Sequence, residues 1–145
     1  MEVCKMSVES ECLSYLTSVK TELTQSFPQS EQLTDSLFAV FSDFATGDYE
    51  GISENKIYRS FLNTLTEIIE IAFENRASKS FLRSFFKILN NKAVTDYLSE
   101  LAPKHTSDFN NSLARIASEF VYWQESDHKK ELKLNYLKDI IESWM

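Results

Sequence analysis

The stretch Ser78-Lys79-Ser80-Phe81-Leu82-Arg83-Ser84-Phe85-Phe86-Lys87-Ile88-Leu89-Asn90 decides the fold. Its apolar residues stand at Phe81, Leu82, Phe85, Phe86, Ile88 and Leu89, the three-and-four spacing of an α-helix over 78–90. They cover most of the circumference, and such a helix belongs in the middle of a helical core. The remaining strip is basic, with Arg83 and Lys87 one turn apart.

Working back along the chain, Ser53 is placed to cap a longer helix running to Glu74. Its apolar set is broad: Ile57, Tyr58, Phe61, Leu62, Leu65, Ile68, Ile69, Ala72 and Phe73. Together the two segments predict an apolar central hairpin over residues 54–90. Glu67, Glu70 and Glu74 on the first helix, and Arg76, Lys79, Arg83 and Lys87 on the second, would then flank one seam.

Two helices precede the hairpin. One is capped by Ser7 and covers 8–26, with its stripe at Val8, Cys12, Tyr15, Leu16, Val19 and Leu23. After Pro28, Ser30 is placed to cap the next, over 30–45, with Leu33, Leu37, Val40, Phe41 and Phe44 on one face and Gly47 as the stop signal. Both glycines of the protein lie in Thr46-Gly47-Asp48-Tyr49-Glu50-Gly51, so 46–52 is expected to be a mobile loop, as residues 1–6 are expected to be a flexible terminus.

A short helix over 92–101 follows the hairpin and ends before Pro103. Thr106 or Ser107 can cap the next. From there a four-three register runs unbroken through Phe109, Leu113, Ile116, Phe120, Trp123, Leu134, Leu137, Ile141 and Trp144, with Asp127 and Lys130 in two of its apolar places. One helix over 107–144 would be about 57 Å long, twice the width of a domain of this size. A break over 124–130, with Ser126 or Asp127 capping a last helix, fits a compact domain; an unbroken helix would suit a dimer. The expectation is therefore an all-α, single-domain bundle of six or seven helices spanning residues 1–145, with the break.

Composition agrees. The chain has 145 residues, 43% of them hydrophobic, with two glycines and two prolines, enough for one core and too few turn residues for an all-β fold. No apolar run approaches the roughly 18 residues of a membrane span, and the first residues lack the apolar region of a signal peptide. Cys4 and Cys12 would stand about 12 Å apart on one helix, beyond disulfide reach. A reduced, cytoplasmic setting is expected, without membrane insertion. The net charge of −7 is uneven: residues 1–75 carry 13 acids and 4 bases, residues 76–145 carry 9 acids and 11 bases. The first half should repel nucleic acid.

Chemistry-bearing motifs are sparse. Glu125 and His128 have the Glu-x-x-His spacing of carboxylate-bridged bundles, but once only, where two motifs and further carboxylates are needed. His105 follows Pro103-Lys104 in an expected loop. The glycines fit neither a nucleophile elbow nor a phosphate-binding loop. No catalytic residue, metal site or cofactor is expected, and the chain does not read as an enzyme.

What stands out is aromatic content: 11 Phe, 6 Tyr and 2 Trp. Aromatic and arginine side chains are the usual anchors of interfaces. The expected function is a non-catalytic protein–protein interaction module (an adaptor, inhibitor or regulatory domain) acting through a helical groove or face. Its candidate residues are Phe81, Arg83, Phe85, Phe86, Lys87, Tyr122 and Trp123. Phe38, Tyr122 and Trp123 lie beside their helices' main stripes and are expected at the surface, where they could also form a homodimer seam. The alternative is a sensor or carrier enclosing an apolar small molecule between the third and fourth helices. In layout, seven short helices around an apolar hairpin resemble the Bcl-2-like proteins, which would imply an intracellular regulator. The chain has no Asn-Trp-Gly-Arg sequence, so the resemblance is one of arrangement.

Overall fold

The protein is described by a computed structural model, covering the backbone over residues 7–122 and 130–144 and the side chains over 7–120 and 133–144. Among the described residues it is an all-α single domain of seven α-helices: α1 (Val8–Ser26), α2 (Glu31–Ala45), α3 (Glu54–Glu74), α4 (Lys79–Leu89), α5 (Lys92–Leu101), α6 (Thr106–Tyr122) and α7 (Lys130–Ser143). Among the described residues there is no strand, and no helix is long and apolar enough to cross a membrane.

Local chemistry sets most helix ends. The hydroxyls of Ser7, Ser53 and Ser78 accept the backbone N–H of Ser10, Lys56 and Phe81 at 3.1–3.2 Å, and Asn91 Oδ1 accepts that of Ala93 at 2.9 Å. Each satisfies a donor that the first turn leaves free. Two expected caps fail for one reason. Pro28 and Pro103 open short 3-10 turns, Pro28–Ser30 and Pro103–His105, that run straight into α2 and α6. A proline's fixed φ and missing N–H start a helical turn on the spot. Ser30 makes no capping bond, and Thr106, already helical, donates its hydroxyl to the carbonyl of Pro103 at 2.9 Å.

The glycines do different work from the expected stop. Gly47 lies under the ring of Tyr49, where an added Cβ would meet Cζ and Oη at 2.9 Å. The Tyr49 hydroxyl donates to the carbonyl of Phe44 at 2.6 Å, folding the loop back onto the end of α2. Gly51 supplies a left-handed φ of 78°. At the α3–α4 turn the left-handed residue is Arg76, φ 55°. Ala77 N–H bonds Ala72 O at 2.9 Å and Arg76 N–H bonds Phe73 O at 3.1 Å, a Schellman closure without glycine.

The core is one aromatic-rich cluster. Phe41, Phe61, Phe81, Phe85, Phe86, Phe109 and Phe120 are all fully buried. Phe81 meets Phe27 edge-on at 5.5 Å, Phe85 meets Phe38 at 5.4 Å, and Phe86 stacks on Phe120 at 5.7 Å. α4 feeds its aromatic side into this cluster but is not enclosed as expected, because Ser80, Arg83, Lys87 and Asn90 form an exposed polar face. Its main neighbour is α6, whereas α3 packs chiefly on α2 and α7. The two helices of the 54–90 segment share the core without forming the expected charged seam. α3's wide stripe is covered from both sides, and Glu70 pairs with Lys138 of α7 at 2.6 Å. Leu137 and Ile141 of α7 are fully buried, so residues 130–143 fold back onto the bundle as a separate helix. The caps considered for it, Ser126 and Asp127, lie outside the described residues.

Candidate functional site

The candidate surface is the outer face of α4. Five of its six apolar residues, Phe81, Leu82, Phe85, Phe86 and Leu89, are buried and Ile88 is half-buried, which leaves Ser80, Arg83, Ser84, Lys87 and Asn90 facing outward with a groove on each side. Toward α6 the groove is polar, about 480 Å³, with Ala117 and Ser118 as its far wall. Toward α1 it is about 530 Å³ and more apolar, floored by Val19, Leu23, Phe27 and Ile88, with Tyr15 at one end. The Tyr15 hydroxyl donates to the Ile88 carbonyl at 3.4 Å; burial, helped by the Glu22 carboxylate, raises its pKa.

Arg83 and Lys87 are both exposed, and among the described residues no carboxylate pairs with either. In a chain of net charge −7 this strip stands out as basic.

Of the candidate residues read from the sequence, Arg83 and Lys87 come together on this face. Phe81, Phe85 and Phe86 do not. They are fully buried, because they occupy the positions of α4 that point at α1, α2 and α6, and the aromatic anchors are core side chains. Phe38, expected at the surface, is 4% exposed and packs against Phe85. Tyr122 is the last residue of α6; its side chain, and the whole of Trp123, lie outside the described residues. The apolar wall supplied by α1 was not legible in the sequence, since nothing in the stripe of Val19 and Leu23 says which part of it α4 leaves uncovered.

A second polar cluster sits where α3, α6 and α7 meet. Asn55, Tyr58, Arg59, His105, Asp108 and Trp144 line a pocket of about 310 Å³. His105 is not in a free loop. Its Nδ1 lies 2.8 Å from Asp108 Oδ2, its Nε2 lies 2.7 Å from Asn55 Oδ1, and its ring stacks on Tyr58. The Tyr58 and Ser112 hydroxyls are 2.8 Å apart. Burial raises the Tyr58 pKa, the bond to Ser112 lowers it, and the Asp108 charge raises it. With both ring nitrogens engaged, His105 holds the Pro103–His105 turn on the first turn of α3. Lys104 N–H adds a bond to Glu54 Oε1 at 2.8 Å. The only signal in the sequence was the i, i+3 spacing of His105 and Asp108.

Among the described residues no three His, Cys, Asp or Glu side chains gather where a metal ion could sit; Glu125 and His128 lie outside them. No family model matches the chain, and no curated protein or solved structure matches it at a significant level.

Proposed function

We propose that the chain is a non-catalytic protein-interaction module, an adaptor, inhibitor or regulatory domain, and that it docks an acidic partner on the outer face of α4. The observation carrying this reading is that Arg83 and Lys87 are exposed, carry no ion pair among the described residues and stand between two grooves. Unpaired surface charge of one sign steers a partner of the other sign and fixes its register. Neither side chain is tied up in an ion pair within the fold among the described residues, which leaves both available to a partner.

The test compares the wild-type chain with the Arg83→Glu/Lys87→Glu double variant as bait in cell extract, with chemical cross-linking and matched helical content by circular dichroism. A partner retained by the wild type, cross-linked to α4 and lost from the double variant is the expected result. The same partners on both baits would overturn the reading.

A further inference from the structure

The groove between α1 and α4 has a shape and a charge polarity that narrow the occupant. Tyr15 lies opposite Ile88, and Phe27 opposite Phe81, so the two walls run antiparallel. The stretch of α1 from Tyr15 to Phe27 spans about 18 Å, room for about three turns of helix. Both walls are helices whose backbone groups are already bonded within themselves. An extended peptide would find no edge to pair with and would leave its own N–H and C=O groups unpaired over an apolar floor, whereas a helix satisfies its own.

The two rims carry opposite charge, Lys87 on α4 and Glu22 on α1; Arg83, one turn before Lys87, borders the other groove, toward α6. An occupant therefore meets attraction for acids along one edge and repulsion of acids along the other.

From these features we infer that the groove takes an amphipathic α-helical segment of a partner protein, about three turns long. Its apolar side lies on Val19, Leu23, Phe27 and Ile88. An acidic residue on one edge faces Lys87, and its Glu22 edge carries no acids. This deepens the proposed function and rests on it.

The experiment is selection of a random 16-residue peptide library displayed on phage against the immobilised full chain. The enriched sequences are then synthesised and titrated against wild type, Lys87→Glu and Glu22→Lys. Expected are sequences with apolar residues at i, i+3 or i+4 and i+7, and Glu or Asp on one edge only. Lys87→Glu should weaken their binding at least about tenfold and Glu22→Lys should not weaken it. Peptides that bind the α4 face but lack an acidic edge would overturn this inference and leave the α4 reading standing. Acidic peptides that bind Lys87→Glu as well as wild type would overturn it too, and so would no enrichment. A dimer in sedimentation that Lys87→Glu dissolves would make the occupant a second copy of the chain, also overturning it. The α4 reading itself falls only if the bait comparison shows no loss of partners.

Discussion

The imidazole of His105 lies flat on the ring of Tyr58, with centroids 4.6 Å apart and planes 9° apart. The two residues are on different elements, the 3-10 turn before α6 and the first half of α3. The contact, with the bonds from His105 to Asn55 and Asp108, makes the turn a staple between the helices. His105→Ala removes the stack and both bonds and should destabilise the chain by about 2–3 kcal/mol. Urea unfolding of the two proteins checks this; a change under about 0.5 kcal/mol would show that the staple is ornamental.

The hydroxyl of Thr34 is buried and has no hydrogen-bond partner among the described residues. An unsatisfied buried hydroxyl costs free energy that an apolar group of the same shape does not. Thr34→Val is expected to raise stability by about 1 kcal/mol, seen as a later urea midpoint at unchanged slope. A loss of stability would mean that an ordered water already serves the hydroxyl.

Arg76 holds φ at 55° in the closure of α3, a conformation costing a side-chain-bearing residue about 1–2 kcal/mol. Glycine adopts it freely but loses more entropy on folding, about 0.5–1 kcal/mol. Arg76→Gly should therefore stabilise by about 0.5–1 kcal/mol, and Arg76→Val, whose branched side chain tolerates this region least, should destabilise. Thermal unfolding of the pair distinguishes backbone relief from loss of the arginine's charge, since both variants remove the charge.

Gly47→Ala would push a methyl to 2.9 Å from the Tyr49 ring, displacing it from its bond to Phe44 O. A loss of about 1–2 kcal/mol is expected. In the Tyr49→Ala background the same substitution should cost little, because the obstacle is gone. Additive losses in this double-mutant cycle would contradict the close approach as the reason for glycine.

Burial raises the Cys12 thiol to about 11, with the Glu9 charge adding to it, and raises the Tyr97 phenol, bonded to the carbonyl of Ala45, to about 12. Both groups are neutral when protonated, and the folded state holds the proton more tightly than the unfolded chain. Their contribution is complete below pH 9 and falls as pH rises through 9–12. Urea midpoints should be flat from pH 7 to 9 and decline above it. In a Cys4→Ser background, Cys12 should react with a thiol reagent at a rate that follows unfolding. Rapid labelling of the native chain would contradict its burial.

The helices were largely legible because helix formation is local. The spacing of Phe81, Leu82, Phe85, Phe86 and Leu89 determines that 79–89 is helical and which side of it is buried, whatever it packs against. Ser7 and Ser53 mark their helix starts by bonds spanning three residues. Ser30 and Thr106 misled because the prolines before them had already begun a turn, a competition between two local signals.

Of the site, the exposure of Arg83 and Lys87 followed from the same periodicity. Their lack of ion pairs did not, since the expected acidic neighbour Glu70 found Lys138, 68 positions away in the chain. Periodicity says which face of a helix is apolar, and it says nothing about which other helix will cover that face. Residue spacing thus carries six or seven helices, leaving open whether 107–144 is one or two, together with the buried side of α4 and its basic strip. The tertiary structure alone decided that Phe38 is core, that Val19 and Leu23 border an open groove and that His105 lies on Tyr58. Those relations are between residues far apart in the chain, and they exist only once all the helices compete for the same apolar partners.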